Sequence, residues 1–344
     1  MADAQLSAAA VRAHLVAGLH PDVLEVGVQD TPPGTSARQA LRVRGRSSDA
    51  GLALVHGARG AMHLHRAADL PALAAALRPQ EAADLRKQSF GPFFAGLSGP
   101  VGAALDEVAA AMAGVMADGV RRSKGELSTS LRATVDARLR PWCDRCAADH
   151  VNDALFRLAS LPAGLRLVPN GDGSADFVAG PRPRLPDVTP ARRELVRRFL
   201  RYAGPTNRDG LAGWLGLSPA AARRWWALAD VVPVSVEGRR LFLHPDDLAA
   251  ARSAPRAAGV WLLPPNDPVL ELGDRELLVP NAADRKQVWR ASANPGALLV
   301  DGAVAGTWRR RGGTVTVTPF GSLSATHRRQ LPAVTDGEVV VAES

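Results

Sequence analysis

Thr206-Asn207-Arg208-Asp209-Gly210-Leu211-Ala212-Gly213-Trp214-Leu215-Gly216-Leu217-Ser218-Pro219 begins the stretch whose reading decides the fold. Thr206 to Asp209 can start a helix, and Gly210 to Leu215 places its apolar residues at helical spacing. Gly216-Leu217 breaks that helix. Ser218 then serves as an N-cap with Pro219 in the first helical position, where a missing N–H costs nothing. The second helix carries Arg223, Arg224, Trp225 and Trp226. Two β runs, Val231 to Val236 and Arg240 to Leu243, flank Glu237-Gly238-Arg239, and His244-Pro245-Asp246-Asp247 starts another helix. Helix, tight turn, helix, hairpin is the order of a winged helix, whose second helix can lie in a nucleic-acid groove. The competing reading of the same order is a small α+β module used for packing or protein contact.

Working outward, the pattern recurs. Leu52 to His56 and Ala61 to His65 alternate around Gly57-Ala58-Arg59-Gly60, a hairpin signature. Met62-His63-Leu64-His65-Arg66-Ala67-Ala68-Asp69-Leu70 resembles Leu241-Phe242-Leu243-His244-Pro245-Asp246-Asp247-Leu248: a strand running through His into an acid-capped helix. Ahead of the first hairpin, Leu6 to Leu19 reads as a helix, Val23 to Thr35 as a loop and Ser36 to Val43 as a short helix. Between the two copies, Val101 to Arg121, Gly125 to Arg138 and Cys143 to Leu161 read as helices. Leu165 to Val168 and Ala175 to Val178 flank the turn Pro169-Asn170-Gly171-Asp172-Gly173-Ser174. Pro181 to Pro186 is a stiff linker before a helix over Ala191 to Tyr202. After Arg256 come short β runs with Gly turns: Val260 to Leu263, Glu276 to Val279, Ala297 to Val300, Ala303 to Arg309 and Thr314 to Pro319. The expected fold is α+β: three tandem winged-helix units over 1–85, 99–180 and 188–252, then a small C-terminal β-barrel-like domain over 257–344.

A chain of 344 residues is too long for one compact core. Its 46% hydrophobic and 22% charged content is that of a globular protein. The net charge of +8 and a pI near 10.7 favour a polyanionic partner. Arg outnumbers Lys and Ala is abundant, as a GC-rich coding sequence produces, so part of the basicity is compositional. No signal peptide is legible at the start. The longest apolar stretch, Val101 to Val120, is interrupted by Asp106, Glu107 and Asp118 and reads as a core helix, not a membrane span. Two cysteines exclude a disulfide framework and fit a reducing cytoplasm.

Three stretches carry a family resemblance: Leu263-Pro264-Pro265-Asn266-Asp267-Pro268; Leu298-Leu299-Val300-Asp301-Gly302-Ala303-Val304-Ala305-Gly306-Thr307-Trp308; and Arg59-Gly60-Ala61-Met62-His63-Leu64 followed by Asp69-Leu70. Together they resemble the AlkZ/YcaQ family, bacterial winged-helix DNA glycosylases that remove bulky or cross-linked alkylated bases. The resemblance implies double-stranded, damaged DNA as the partner and no cofactor. In that family activity goes with a short motif: Gln, an apolar residue, then Gln or Asp. Here the matching stretch is Gly27-Val28-Gln29-Asp30. One register puts Gln29 in the second position and Gly27 in the first; the register shifted by one puts Asp30 second and Val28 first. Either way half of the motif is missing.

The chemistry such residues would perform follows from the bond to be broken. A base alkylated at a ring nitrogen is already a cationic leaving group and needs little general-acid help. What remains is to stabilise an oxocarbenium-like sugar and deliver a water to it. A Gln carbonyl can orient that water, and its dipole can face the cation. An Asp can add electrostatic and base work. Gln29 and Asp30 are therefore the catalytic candidates, Gln29 holding the water and Asp30 near the developing charge. The alternative for Asp30 is a turn-capping role, accepting from Thr31 or Gly34, with Gln29 as polar loop surface.

The DNA-binding candidates are Arg59, His63, Arg122, Lys124, Arg223, Arg224, Arg239, Arg240, Arg309 and Arg310, whose phosphate contacts would position a duplex without reading its sequence. His65 shares the strand face of His63 but reads as structural. Arg192, Arg193, Arg197 and Arg198 read as a solvated helix face. Cys143, Cys146 and His150 have ligand-like spacing and would share one face if helical. Without a fourth ligand in sequence, the expectation is no metal and a buried thiol pair beside Trp142. The whole reads as a cytoplasmic, nucleoid-associated monomer with no membrane contact. The rival is a non-catalytic winged-helix DNA-binding protein, a regulator or damage-shielding factor.

Overall fold

The computed structural model describes residues 3–16, 19, 22–86, 97 and 99–342. Helices Val188–Ala203, Arg208–Leu215 and Pro219–Trp226 lead into strands Val232–Val236 and Arg239–Leu243. The local causes are those legible in sequence. The Asn207 side chain accepts from the Gly210 N–H and Gly216 ends that helix at φ 67°. Ser218 accepts from the Ala221 N–H, with Pro219 in the first turn. One partner of this hairpin was not legible. Ala4–Leu6 is a strand ahead of the helix Ala8–Val16, and it pairs in parallel with Val232–Val236.

The first two segments are not separate. Strands Val28–Gln29, Met62–Arg66, Leu52–His56, Leu165–Pro169 and Ala175–Ala179, in that spatial order, form one sheet. Leu54 opposite Leu167 makes the join. Strand alternation explains why it holds: Leu54 points into the core packed on Val101–Val115, while Ala53 and Val55 point into the core shared with Val188–Ala203. A strand covered on both faces belongs in the middle of a sheet.

Four local expectations are corrected. Val23 to Thr35 is not all loop, since it contains a 3-10 turn at Val23–Glu25 and the strand Val28–Gln29. The second helix of the middle segment stops at Leu131, followed by a 3-10 turn at Ala137–Leu139. Cys143 to Leu161 is not one helix: Trp142–Cys143 and Ala148–Asp149 form a hairpin, and the helix runs from Asp153 to Ser160 behind an Asn152 cap. Arg275–Leu278 is a helix rather than a strand, because the Asp274 carboxylate accepts from the Glu276 and Leu277 N–H groups and nucleates it.

The C-terminal sheet runs in spatial order through Val260–Leu263, Gly296–Val300, Ala303–Arg311, Thr314–Pro319 and Glu338–Val341. It curls as a half-barrel, its last two strands parallel. After its first strand the chain turns through Asn266 at φ 60° into the helix Pro268–Leu272. Asp267 caps that helix and also binds Arg44, which follows the helix Ser36–Val43, through two hydrogen bonds of 2.8 and 2.9 Å. Both side chains are sealed from solvent, at 1% and 0% exposure, so the pair locks the C-terminal part onto the first segment. Among the described residues no helix is long and apolar enough to cross a membrane.

Candidate active site

The site starts from the two-residue strand Val28–Gln29, which pairs with Leu64 and His63. Alternation buries Val28 completely and sends Gln29 into a cleft of about 730 Å³. The cleft lies where three parts of the chain meet. Arg59 comes from the first hairpin turn, Asn207 and Trp214 from the third segment, and Glu271 and Trp289 from the C-terminal part.

Arg59 organises the floor. It sits at φ 55° in the tight turn between the strands Leu52–His56 and Met62–Arg66. Its Nη2 donates to Glu271 Oε1 at 2.7 Å and to Gln29 Oε1 at 3.3 Å, while Nη1 donates to the Trp214 carbonyl. The Gln29 amide nitrogen donates to Thr31 Oγ1 at 3.3 Å, which fixes the amide's orientation. His63 stands behind, its Nε2 3.6 Å from the same Glu271 oxygen and its Nδ1 3.0 Å from the Ala61 carbonyl. Burial works to raise the Glu271 carboxyl, but His63 and Arg59 outweigh it and hold the pKa at about 2. A buried carboxylate ionised at neutral pH, an oriented amide and a guanidinium therefore share one small volume.

Asp30 is corrected. It is 3% exposed, and its carboxylate accepts from the backbone N–H groups of Gly34 (2.5 Å), Thr35 (3.1 Å) and Ala37 (3.0 Å). It caps the entry to the helix Ser36–Val43 and does not line the cleft. The motif register that uses Val28 and Asp30 thus has neither residue lining the cleft, and of Gly27 and Gln29 only Gln29 lines it.

Gly27 is held as glycine by its surroundings. It takes φ 80°, and a Cβ added there would lie 2.2 Å from Cε1 of His65. The His65 ring is buried, and burial, followed by the neighbouring His63, lowers its pKa to about 3, so it packs as a neutral imidazole. The imidazole fills the space that a longer side chain at position 27 would need.

The remaining candidates fall in different places. Arg239, at the start of the strand Arg239–Leu243, reaches the cleft rim and is paired with Asp274 at 2.6 Å and Glu276 at 3.3 Å. Arg223 and Arg224 lie on the exposed face of Pro219–Trp226, Arg224 bound to Asp84. Arg240 pairs with Asp3, Arg122 with Asp118 and Lys124 with Asp153. Arg309 and Arg310, on the C-terminal sheet, donate to the Ala293 carbonyl and to Thr335 Oγ1. The structure brings Gln29, Arg59, His63 and Arg239 together and leaves the others away from the cleft.

The solvated-face reading of Arg192 is corrected: it is buried, donates to the Ala76 and Arg78 carbonyls and lies 4.8 Å from the centre of the Trp225 ring. Arg197 and Arg198 both grip Glu194. Cys143, Cys146 and His150 lie on the hairpin and just after it, not along a helix, and the expected buried thiol pair is corrected: Cys143 is half-buried and Cys146 exposed.

Glu271 escaped the sequence reading. The signal available was its place in the short helix that Asp267 caps, immediately after the Pro264-Pro265-Asn266-Asp267-Pro268 run. Asn207 and Trp289 escaped too, because only packing between remote segments brings them to the cleft.

The family model described as "DNA glycosylase AlkZ-like" matches residues 33–336. Among solved structures, the Streptomyces sahachiroi DNA glycosylase AlkZ superposes with a TM-score of 0.71 at 22% sequence identity, over 98% of this chain and 100% of that one. No curated protein matches the chain. The family match starts after Gly27–Asp30, so the role of that stretch stands on its geometry. Because the match spans most of the sequence, the chain belongs to the AlkZ-like DNA glycosylase family.

Proposed function

We propose that the chain hydrolyses the N-glycosidic bond of bulky or cross-linked N-alkylated purines in duplex DNA, at the cleft beside Gln29. The observation that carries this reading is the meeting of the Gln29 carbonyl and the Glu271 carboxylate on one Arg59 guanidinium inside a cleft of about 730 Å³. In this reading Glu271 takes the electrostatic role that the sequence suggested for Asp30.

The damaged base leaves as a neutral species from a cationic nucleoside, so the site needs no strong acid. As the bond stretches, positive charge moves onto the sugar, and an ionised Glu271 lowers the energy of that state more than that of the ground state. Gln29 Oε1, held by Arg59, has a second lone pair with which to orient the attacking water. Among the described residues no lysine lines the cleft, which favours water over an amine as the nucleophile and therefore a monofunctional enzyme. The 188–252 segment is read as a winged helix against the duplex, with Arg223 and Arg224 near phosphates.

The test is base release from duplexes carrying simple and bulky N7-alkylguanine, scored as alkali-labile sites. Gln29→Ala and Glu271→Gln should each lower single-turnover release by roughly 10²–10³-fold, with duplex affinity by anisotropy unchanged. Release by both variants at the parental rate removes the cleft from the mechanism. A second reading, a DNA-binding protein without activity, is favoured by Gly27 and His65 occupying the place of the family's first glutamine. Duplex binding without base release from any adduct would support it.

A further inference from the structure

We propose that Cys143 Sγ, Cys146 Sγ and His150 Nε2 bind one zinc-class ion, with the fourth coordination position open to solvent. The proposal is independent of the glycosylase reading, since none of the three residues lines the cleft.

Three observations carry it. First, the ligand atoms of the three residues all lie within 4.8 Å of one another, though the residues sit at the two ends of a hairpin. Tetrahedral zinc with Zn–S bonds of about 2.3 Å needs sulfurs about 3.7 Å apart, so the cluster has to close by roughly 1 Å.

Second, the backbone forms the knuckle that a C-x-x-C pair requires to chelate. The Cys146 N–H donates to the Cys143 carbonyl at 3.1 Å and the Ala147 N–H to the Asp144 carbonyl at 3.3 Å. Ala147 then takes φ 47°, a left-handed conformation that an alanine disfavours. This turn folds the chain so that both sulfurs face one side.

Third, His150 is oriented as a ligand by the backbone. Its Nδ1 is 2.8 Å from the Val151 carbonyl, which makes Nδ1 the protonated nitrogen and leaves Nε2 as a lone-pair donor. That Nε2 is buried, and the group it faces is the Cys143 thiol. A backbone carbonyl orienting one ring nitrogen while the other binds metal is the usual second layer of such sites. Two thiolates and an imidazole select zinc over magnesium or calcium.

The ion would be structural. It ties the hairpin, which presents the 65% exposed Trp142 and the exposed Arg145, to the start of the helix Asp153–Ser160.

The test uses the reduced, chelator-stripped full chain and the metal alone. Added Co²⁺ should saturate at one equivalent, with sulfur-to-cobalt charge-transfer absorption and tetrahedral visible bands, and Zn²⁺ should bleach both. Cys143→Ser, Cys146→Ser and His150→Ala should each weaken uptake by at least about tenfold. Zinc should also shield both thiols of the unaltered chain from iodoacetamide, a readout that needs no variant to fold. A stripped chain that gives no cobalt–sulfur band, or thiols alkylated equally fast with and without zinc, overturns the proposal. So does uptake that survives all three substitutions.

Discussion

Gly27→Ala adds one methyl group, and the structure says what that methyl meets. At φ 80° an L-residue costs roughly 1–2 kcal/mol relative to glycine, and overpacking a buried contact adds about 1–3 kcal/mol. The new Cβ would lie 2.2 Å from Cε1 and 2.4 Å from Nε2 of His65, well inside contact distance. His65 cannot withdraw, because its ring is 2% exposed and packed within the sheet. The expected loss is therefore about 2–5 kcal/mol of unfolding free energy. A double-mutant cycle with His65→Ala separates the two contributions, since the backbone cost persists without the ring and the steric cost disappears. Urea unfolding of the four proteins, followed by tryptophan fluorescence, should give a coupling of about 1–3 kcal/mol between the two positions. A coupling below roughly 0.5 kcal/mol would refute the claim that His65 is what excludes a side chain from position 27. The functional corollary is that Gly27→Gln alone cannot restore the family's complete motif.

Asp267→Ala leaves the Arg44 guanidinium buried without its partner and removes the cap of the helix that carries Glu271, so destabilisation of about 3–5 kcal/mol is expected from urea unfolding. A loss under about 1 kcal/mol would mean that the pair is not the lock between the C-terminal part and the first segment. Part of the pH dependence of stability follows from His65, whose pKa falls from 6.5 to about 3 on folding, as that of His56 also does. Below pH 6.5 the unfolded chain takes up a proton that the folded one refuses. The stability from this residue is thus complete above pH 6.5 and is lost as pH falls toward 3, by up to about 1.4 kcal/mol per pH unit. His65→Gln should flatten the slope of the urea midpoint between pH 7 and 5; an unaltered slope would show that the imidazole is not held neutral.

What the sequence could determine is what its local chemistry encodes. Asn207, Gly216, Ser218 and Pro219 specify where two helices start and stop, because capping and left-handed turns are decided within a few residues. The hairpin of Leu52–His56 and Met62–Arg66 was legible from alternation and its glycine turn. The middle hairpin at Cys143 was not, because three ligand-type residues at helical spacing look the same whether the backbone coils or doubles back.

The family resemblance rested on such local runs, and the family match confirmed it. Gln29 was singled out by that resemblance; the structure adds that it faces the cleft, while its neighbour Asp30 is spent on a helix cap.

Tertiary structure alone decided the rest. The join of Leu54 to Leu167, the pairing of Ala4–Leu6 with Val232–Val236 and the seating of Glu271 beside Arg59 each link residues more than 100 positions apart. Such contacts leave no periodicity in the chain, because their free energy comes from surfaces that exist only once the separate segments have folded. The helix caps and the first hairpin turn were therefore written in the residues, and the cleft arose from how the segments pack.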